Sequence, residues 1–432
     1  MEILKYPARE TWESIAERPR LDVSKLDAAV ADILDDVRNN GDEAVRRYEL
    51  MFDKVRLEGS LRVSEEEIDQ AFRSIDSGLR DALMLAHDNI SRFHKAQTFN
   101  TITVETAPGV KCWQKSVPIQ KVGLYVPGGT APLFSTVLML ATPARIAGCG
   151  EIVMCTPPDR EGNVNKAILA AAKIAGVTNV FKIGGVQAIG AMAYGTESVT
   201  NVYKIFGPGN QYVMAAKQHV SLHDVAIDMP AGPSEVCVIA DEKSDAAFVA
   251  ADLLSQAEHG SDSQVMLITT AETTARNVIA EIKAQLQRLP RKALAEKTLD
   301  NSNIVIVEDT DEAIDLANCY APEHLIIATA DCMNIAEKVI NAGSVFIGKY
   351  ACESAGDYAS GTNHTLPTHR HALAYSGVNL DSYMRKITFQ NITPEGIRSI
   401  GRAVETMAEN ECLQAHKNAM TLRVNDINDQ QQ

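Results

Sequence analysis

The chain has 432 residues, which is more than one hydrophobic core usually serves, so two or more domains are expected. Its hydrophobic content of 45% and charged content of 22% are ordinary for a globular protein. The net charge of −15 disfavours nucleic acid and anionic membranes as partners. The N-terminal residues lack the apolar core of a signal peptide, and no apolar run is long enough to span a membrane.

The first quarter of the chain is predicted to be mainly helical. Residues 1–22 are polar with only a weak pattern. Apolar residues at helical spacing predict helices over 26–37 and 79–93, and Ser64 with Glu67 forms a capping box that begins another helix. These helices are expected to act as scaffolding.

From residue 121 onward, short apolar runs alternate with helical patterns. The predicted strands are 122–126, 152–154, 180–182, 202–206, 236–240, 265–269, 304–307, 325–328 and 345–347. The predicted helices are 135–147, 166–175, 187–194, 211–220, 245–258, 272–288, 311–319 and 333–341. This alternation predicts an α/β fold with two doubly wound, Rossmann-like parallel sheets.

The last part of the chain, residues 381–432, does not continue this alternation. Residues 394–409 and 411–423 are predicted to be helices, with no strand in this tail. A tail of this size is too small for a core of its own. We therefore expect it to dock on the body of the protein or on a neighbouring subunit.

The predicted helix 245–258 ends in a group of polar side chains. Gln256 and His259 are three positions apart and are expected on one face of this helix, and Gly260 is suited to the position just past a helix end. The pair is either half of a metal site, which needs further ligands, or a solvent-exposed helix end. Eight scattered cysteines without a C-x-x-C pair indicate reduced thiols in a cytosolic protein, so any zinc would use nitrogen and oxygen ligands.

Three glycine turns in the first half of the alternating region precede predicted helices. They are Pro127-Gly128-Gly129, Gly184-Gly185 and Gly207-Pro208-Gly209-Asn210. The last is a near match to the dinucleotide fingerprint, but Tyr212 replaces its third glycine. The turns either bind phosphate through backbone N–H groups or are ordinary tight turns. As ligand-binding loops, all three would lie at the carboxyl ends of the strands.

The second half of the chain contains four further stretches with candidate functional residues. Ser234 lies in a proline-rich loop and is either a substrate contact or part of a structural turn. Glu323 and His324 place two acid/base groups together before a strand. Residues 353–364 are polar and rich in glycine, with Asp357 as a candidate metal ligand and His364 as a candidate substrate group. Glu411 and His416 lie in the tail, and each of these stretches could also be an ordinary surface.

Taken together, these stretches resemble the histidinol dehydrogenase family over nearly the whole chain. The resemblance rests on seven segments in the family order, namely 124–136, 205–210, 228–235, 255–259, 322–324, 353–364 and 415–418. It implies a cytoplasmic enzyme that oxidises L-histidinol to L-histidine through L-histidinal with NAD, as the last step of histidine biosynthesis. Neither nucleic acid nor a membrane is an expected partner.

The resemblance also assigns roles to individual residues. It implies one zinc ion per subunit, held by Gln256, His259, Asp357 and His416. His324 would be the base for alcohol oxidation and Glu323 would activate the water that hydrates the aldehyde. The implied substrate contacts are Ser234, Gln256, His259, His324, Asp357, His364, Glu411 and His416. The implied NAD contacts are Tyr125, Gln187 and Asn210.

The resemblance further implies how the chain is organised. Residues 1–22 would be an N-terminal extension. Residues 23–124 and 236–380 would form one discontinuous α/β domain that carries most metal and catalytic residues, and 125–235 would form the NAD-binding domain. The helical tail 381–432 would be exchanged in a homodimer and serve the partner's site.

One position departs from the family pattern. Arg370, between His369 and His371, stands where the family usually has glycine, which raises the prospect of a changed loop path or substrate mouth. The matched functional residues are all present. Two alternatives stay open: a same-fold zinc and NAD dehydrogenase that acts on another small alcohol, and a non-catalytic metal or nucleotide binder.

Overall fold

The computed structural model describes residues 1–18, 24–128 and 132–430. Contacts divide the chain into a first unit, Met1–Gln97 with Ile119–Tyr383, and a second unit, Thr98–Pro118 with Met384–Gln432. Among the described residues, no helix has both the length and the apolar character needed to cross a membrane.

The described residues form strands and helices in the following chain order. The strands are β1 (Glu2–Lys5), β2 (Thr103–Ala107), β3 (Val110–Pro118), β4 (Lys121–Tyr125), β5 (Glu151–Thr156), β6 (Asn179–Lys182), β7 (Lys204–Phe206), β8 (Ala226–Ile227), β9 (Glu235–Ala240), β10 (Gln264–Thr269), β11 (Asn303–Ile306), β12 (His324–Ile327), β13 (Ser344–Ile347) and β14 (Met384–Ile392). The helices are α1 (Trp12–Ile15), α2 (Ser24–Tyr48), α3 (Glu65–Ser74), α4 (Ser77–Lys95), α5 (Phe134–Ala147), α6 (Lys166–Ala175), α7 (Gly185–Tyr194), α8 (Gln211–His223), α9 (Ala246–Ala257), α10 (Glu272–Leu286), α11 (Lys292–Asp300), α12 (Thr310–Tyr320), α13 (Cys332–Ala336), α14 (Glu353–Tyr358), α15 (Pro394–Asn410) and α16 (Gln414–Asp429).

The larger sheet of the first unit is parallel and has the strand order β1-β11-β10-β9-β12-β13. Its central strands β9 and β10 are buried at every position. Helices cover both faces of a parallel sheet, and this explains why the sequences of β9 and β10 are almost continuously apolar. The cores on the two faces contain side chains of α9 and α10 on one side and of α12 and α13 on the other.

The second sheet of this unit is also parallel, in the order β6-β5-β4-β7-β8. The N-terminal helices pack on the helices of this sheet, α2 on α7 and α8, α3 on α6, and α4 on α5. These contacts group the N-terminal helices with residues 125–235, in contrast to their expected grouping with 236–380. The predicted parallel α/β architecture is confirmed.

The second unit contains an antiparallel sheet, β14-β3-β2, and the helix pair α15 and α16. The prediction that the tail contains no strand is therefore wrong. β14 pairs with β3, which lies some 270 residues earlier in the chain, so no local pattern reveals the partner. Most of β14 is exposed, and its Phe389 ring stacks on Trp113 with ring centroids 5.4 Å apart.

Other differences from the expected elements are smaller. Residues 1–22 contain a strand, because β1 pairs in parallel with β11 at the edge of the larger sheet. The helix predicted over 333–341 ends at Ala336. The helix that contains Leu26 was expected to end near Gly41. Gly41 does interrupt it, with a positive φ of 49°, but the helix resumes immediately afterwards and α2 continues to Tyr48.

Candidate active site

The three glycine turns lie at the carboxyl ends of β4, β6 and β7, as the sequence predicts; Gly129 lies outside the described residues. Gly207 shows why one of these positions requires glycine. A Cβ atom there would lie 2.1 Å from the backbone oxygen of Tyr125, and the residue has a φ of 123°. The absence of a side chain at Gly207 lets the backbone of the turn after β7 pack closely against the end of β4.

Two of the predicted NAD contacts meet at the start of α7. The Gly185 N–H donates to the hydroxyl of Tyr125 over 3.1 Å. The Gln187 amide donates to the carboxylate of Glu49 over 2.8 Å, and the Gly184 N–H donates to the same oxygen. Burial raises the pKa of Glu49 to about 7.

The third predicted NAD contact, Asn210, has a defined structural role. Its side-chain oxygen caps α8 by accepting from the backbone N–H groups of Tyr212 and Val213 at 3.0 and 3.1 Å. The start of α8 is thus ordered by Asn210. The Asn210 amide nitrogen is the part of this side chain that remains suited to a ligand.

The predicted acid/base pair lies at the amino end of the larger sheet. His324 is the first residue of β12 and pairs in register with Val236 of β9, and Glu323 immediately precedes it. Ser234 is half-buried and directly precedes β9. These residues lie at the amino ends of their strands, as the sequence predicts for Glu323 and His324, whereas the three glycine turns lie at carboxyl ends.

The imidazole of His324 is buried and held at one nitrogen. Its Nδ1 lies 3.2 Å from the backbone oxygen of Glu235, so the neutral ring donates there and leaves Nε2 as the free acceptor. Nε2 lies 3.4 Å from a carboxylate oxygen of Asp357. Burial alone lowers the pKa of His324, but the negative charges of Glu323 and Glu353 and the Asp357 carboxylate beside Nε2 outweigh it and raise that pKa well above its usual value.

The carboxylate of Glu323 is buried beside this ring. One oxygen accepts from the backbone N–H of Glu235 at 2.9 Å and lies 3.6 Å from His324 Nδ1. Burial raises the pKa of Glu323, against the opposing effect of His324. A carboxylate with a raised pKa is suited to accept a proton near neutral pH.

The predicted metal ligands of the first unit come together from α9 and α14. A terminal amide atom of Gln256 lies 3.4 Å from Nδ1 of His259, which follows the end of α9. Ligand atoms of His259, Glu353 and Asp357 all lie within 4.8 Å of one another. The structure thus brings together the side chains of Gln256, His259 and Asp357, three of the four zinc ligands that the resemblance implies.

His364 connects this cluster to the smaller sheet. Its Nδ1 lies 2.9 Å from the backbone oxygen of Asp357, and its Nε2 lies 3.2 Å from the hydroxyl of Thr136 on α5. Burial lowers the pKa of His364, which favours the neutral ring. The segment 353–364 therefore contributes buried side chains to the site, and its first part is the helix α14.

The charges and donors of this cluster fit a divalent cation. Burial by itself raises the pKa of Asp357, but His324, His364 and His259 hold that pKa below its usual value. Burial raises the pKa of Glu353 to about 8, so a cation beside this carboxylate would favour its charged form. Among the described residues, His324 Nε2 and Asp357 Oδ1 are buried without a hydrogen-bond partner. Imidazole, carboxylate and amide oxygen are donors that zinc accepts.

The two predicted site residues of the tail belong to the second unit. Glu411 caps the carboxyl end of α15, and His416 lies in the first turn of α16. Both side chains are exposed within the described chain.

Sequence reasoning missed two groups that support the site. Glu353 carries no role in the predicted set although it lies inside a matched segment. Arg18 forms a buried bidentate ion pair with Glu235, with N–O distances of 3.0 and 2.6 Å. The ion pair has no local signal in the sequence, because Arg18 and Glu235 are 217 residues apart.

Arg370, where the family usually has glycine, adopts a left-handed backbone conformation, as does His369 before it. His369 and Arg370 have φ values of 56° and 63°, the region that favours glycine. The Arg370 guanidinium pairs with the carboxylate of Glu13, so the side chain ties this loop to the N-terminal segment.

Comparisons with known proteins identify the family. Residues 16–424 match the histidinol dehydrogenase family. The chain is 61% identical to histidinol dehydrogenase of Bacteroides thetaiotaomicron over 427 residues, which cover 99% of this chain and 100% of that protein. It is 52% identical to the chloroplastic histidinol dehydrogenase of Arabidopsis thaliana, over 96% of this chain and 89% of that protein.

The fold agrees with a solved structure of the same family. The crystal structure of histidinol dehydrogenase from Elizabethkingia anophelis superposes with a TM-score of 0.97 and 49% sequence identity, over 99% of both chains. The family assignment rests on the match in both sequence and fold over almost the full length of the chain. The chain therefore belongs to the histidinol dehydrogenase family, the oxidoreductases of the last step of histidine biosynthesis.

Proposed function

We propose that this chain is a cytoplasmic, NAD-dependent zinc enzyme that oxidises L-histidinol to L-histidine through L-histidinal. The observation that carries the proposal is the convergence of Gln256, His259 and Asp357 beside the buried pair Glu323 and His324. Metal-binding donors and two acid/base groups are thus within reach of one small substrate.

Gln256, His259 and Asp357 would hold the zinc ion, with His416 as the fourth ligand. A bound zinc ion would supply an anchor for the imidazole and amine of the substrate, and bound NAD would supply the hydride acceptor. The half-buried Ser234 and the neutral ring of His364 would contact the substrate from the loop before β9 and from the end of segment 353–364. Tyr125, Gln187 and Asn210 would contact NAD at the carboxyl ends of the smaller sheet.

His324 would take the proton of the substrate alcohol at Nε2. The Glu235 carbonyl fixes its tautomer, so the basic nitrogen faces Asp357. The neutral ring that a base requires is favoured when Asp357 is engaged as a metal ligand, because that carboxylate then stabilises the imidazolium less.

Glu323 would act on the second oxidation. Its carboxylate is buried and positioned by the Glu235 N–H, and it would take a proton from the water that hydrates the aldehyde. The hydrated aldehyde then carries a hydroxyl, and His324 can remove its proton as in the first step.

The substitution Glu323→Gln tests this division of labour. We expect aldehyde oxidation to slow by about 10²- to 10⁴-fold, the usual contribution of a general base, and alcohol oxidation to slow much less. Glutamine retains an oxygen that can accept from the Glu235 N–H, so the loop geometry is preserved. The two rates are measured separately with L-histidinol and with L-histidinal as substrates. Equal losses in both would contradict the assigned role.

We further propose a homodimer in which the tails 381–432 are exchanged, so that His416 and Glu411 complete the partner's site. The support is that both residues are exposed in the described chain and belong to a unit separate from the other ligands.

Mixed dimers test the exchange. Co-expressed Glu411→Ala and His259→Asn subunits form a heterodimer in which, with exchanged tails, one site carries both lesions and the other carries neither. In an equal mixture we expect roughly a quarter of wild-type activity, because half the dimers are mixed and each has one intact site. Each variant alone serves as the inactive control. Activity that stays at the level of the separate variants would argue against exchange.

A further inference from the structure

We infer that Glu353 orients the side-chain amide of Gln256 so that its carbonyl oxygen faces the metal position. This inference rests on the proposed function, which makes Gln256 a zinc ligand and gives Glu353 no role. Glu353 would be a positioning residue, since it acts through Gln256 and not on the substrate.

The two side chains meet in the interior between α9 and α14. Gln256 is fully buried and Glu353, the first residue of α14, is 1% exposed. An amide at such a site is shielded from bulk water, so protein partners orient its oxygen and nitrogen.

The hydrogen-bond partners assign the two terminal atoms of the Gln256 amide. One atom faces both carboxylate oxygens of Glu353, one of them at 3.2 Å, and must therefore be the nitrogen. The other atom lies 3.2 Å from the backbone N–H of Glu235 and must be the oxygen. The atom assigned as the amide oxygen also lies 3.4 Å from Nδ1 of His259.

This orientation decides whether Gln256 can be a ligand. An amide binds a cation such as zinc through its oxygen, because the lone pair of the nitrogen is delocalised into the carbonyl group. In the reversed orientation, the amide oxygen would face the Glu353 carboxylate and the NH₂ group would face the metal position. Glu353 and the Glu235 N–H therefore select the orientation that binds metal.

Glu353 also lies within 4.8 Å of His259 and Asp357, so a direct ligand role must be distinguished from a positioning role. Both of its oxygens face the Gln256 nitrogen, which is the arrangement of a supporting carboxylate. Side chains that hold ligands in this way commonly contribute substantially to metal affinity.

The test measures zinc affinity of the full-length protein by competition with a chromophoric chelator, with the absorption spectrum of the Co²⁺-loaded protein as a second readout. The variant Glu353→Leu has similar volume but no acceptor, and we expect its zinc affinity to fall about 10- to 100-fold. The variant Glu353→Gln retains an acceptor for the Gln256 amide, and we expect a loss of at most about threefold. Neither readout depends on turnover.

Asp252→Asn is the matched charge control. Asp252 lies one turn before Gln256 on α9 and repels Glu353, so this variant removes a nearby carboxylate without touching the amide. We expect its zinc affinity to stay well above that of Glu353→Leu. If Asp252→Asn lowers the affinity as much as Glu353→Leu, charge and not orientation explains the effect and the inference is overturned.

Three further outcomes separate the possibilities. If Glu353→Gln loses as much affinity as Asp357→Asn, the carboxylate is itself a ligand and the positioning role is wrong. If Glu353→Leu binds zinc with wild-type affinity, the inference fails. If the leucine variant does not fold, the zinc affinity of Glu353→Ala is measured instead and decides in the same way. If Gln256→Ala keeps full zinc affinity, the proposed metal site itself fails, independently of Glu353.

Discussion

Replacing His324 with asparagine is expected to slow the oxidation of L-histidinol by about 10²- to 10⁴-fold, the range of a lost general base. Asparagine has no basic nitrogen, although its NH₂ group can still donate to the Glu235 carbonyl that now receives the proton of Nδ1. The proton of the alcohol then has no acceptor at the position of Nε2, and the first hydride transfer is impeded.

Zinc content distinguishes this loss from a collapse of the site. His324 is not among the proposed ligands, so the variant is expected to bind zinc like the wild type while it fails to form NADH. The variant His223→Asn is a control, because this exposed histidine is the last residue of α8 and belongs to no proposed contact. An enzyme that turns over normally without His324 would show that another group is the base.

Replacing Arg18 with methionine is expected to lower the free energy of unfolding by about 3–5 kcal/mol, the cost of breaking a buried ion pair. The Arg18 and Glu235 side chains are 4% and 2% exposed, and the guanidinium also lies over the ring of Tyr320 with its carbon 3.5 Å from the centroid. Removal of the cation leaves the Glu235 carboxylate buried without its partner, and this cost dominates.

Denaturant unfolding of matched variants measures this effect. Arg9→Met breaks an ion pair in the same N-terminal segment whose side chains are 60% and 48% exposed, and we expect a change of about 0–1 kcal/mol. The double variant Arg18→Met, Glu235→Gln is expected to recover part of the loss, because the unpaired charge is gone. A loss for Arg18→Met as small as that for Arg9→Met would contradict the account.

Glu235 connects the buried ion pair with the predicted acid/base pair. Its side chain binds Arg18, while its backbone carbonyl holds His324 and its backbone N–H holds Glu323. The buried ion pair thus fixes the start of β9, against which both acid/base groups are positioned.

The parallel sheets were predictable because buried strands have a strong local signal. The strands 236–240 and 265–269 are continuous apolar runs, and β9 and β10 are buried at every position. The helix 245–258 was predicted to within a residue at each end, with Asp245 as its N-cap. The grouping of Gln256 with Asp357 came from the family resemblance, since 100 residues separate them in the chain.

The missed features share one physical cause, which is that their partners are distant in the sequence. β14 is mostly exposed and pairs with β3, so neither burial nor a hairpin turn marks it. Arg18 and Glu235 look like ordinary charged residues until the fold buries them together.

The central claim is tested most directly by counting NADH formed per L-histidinol consumed, with and without a metal chelator. We expect two NADH per substrate, loss of both on metal removal, and recovery when zinc is added back. One NADH per substrate would contradict this claim, since the reaction would stop at the aldehyde and Glu323 would have no role. No NADH from L-histidinol in the zinc-loaded protein would instead favour another small alcohol as the substrate.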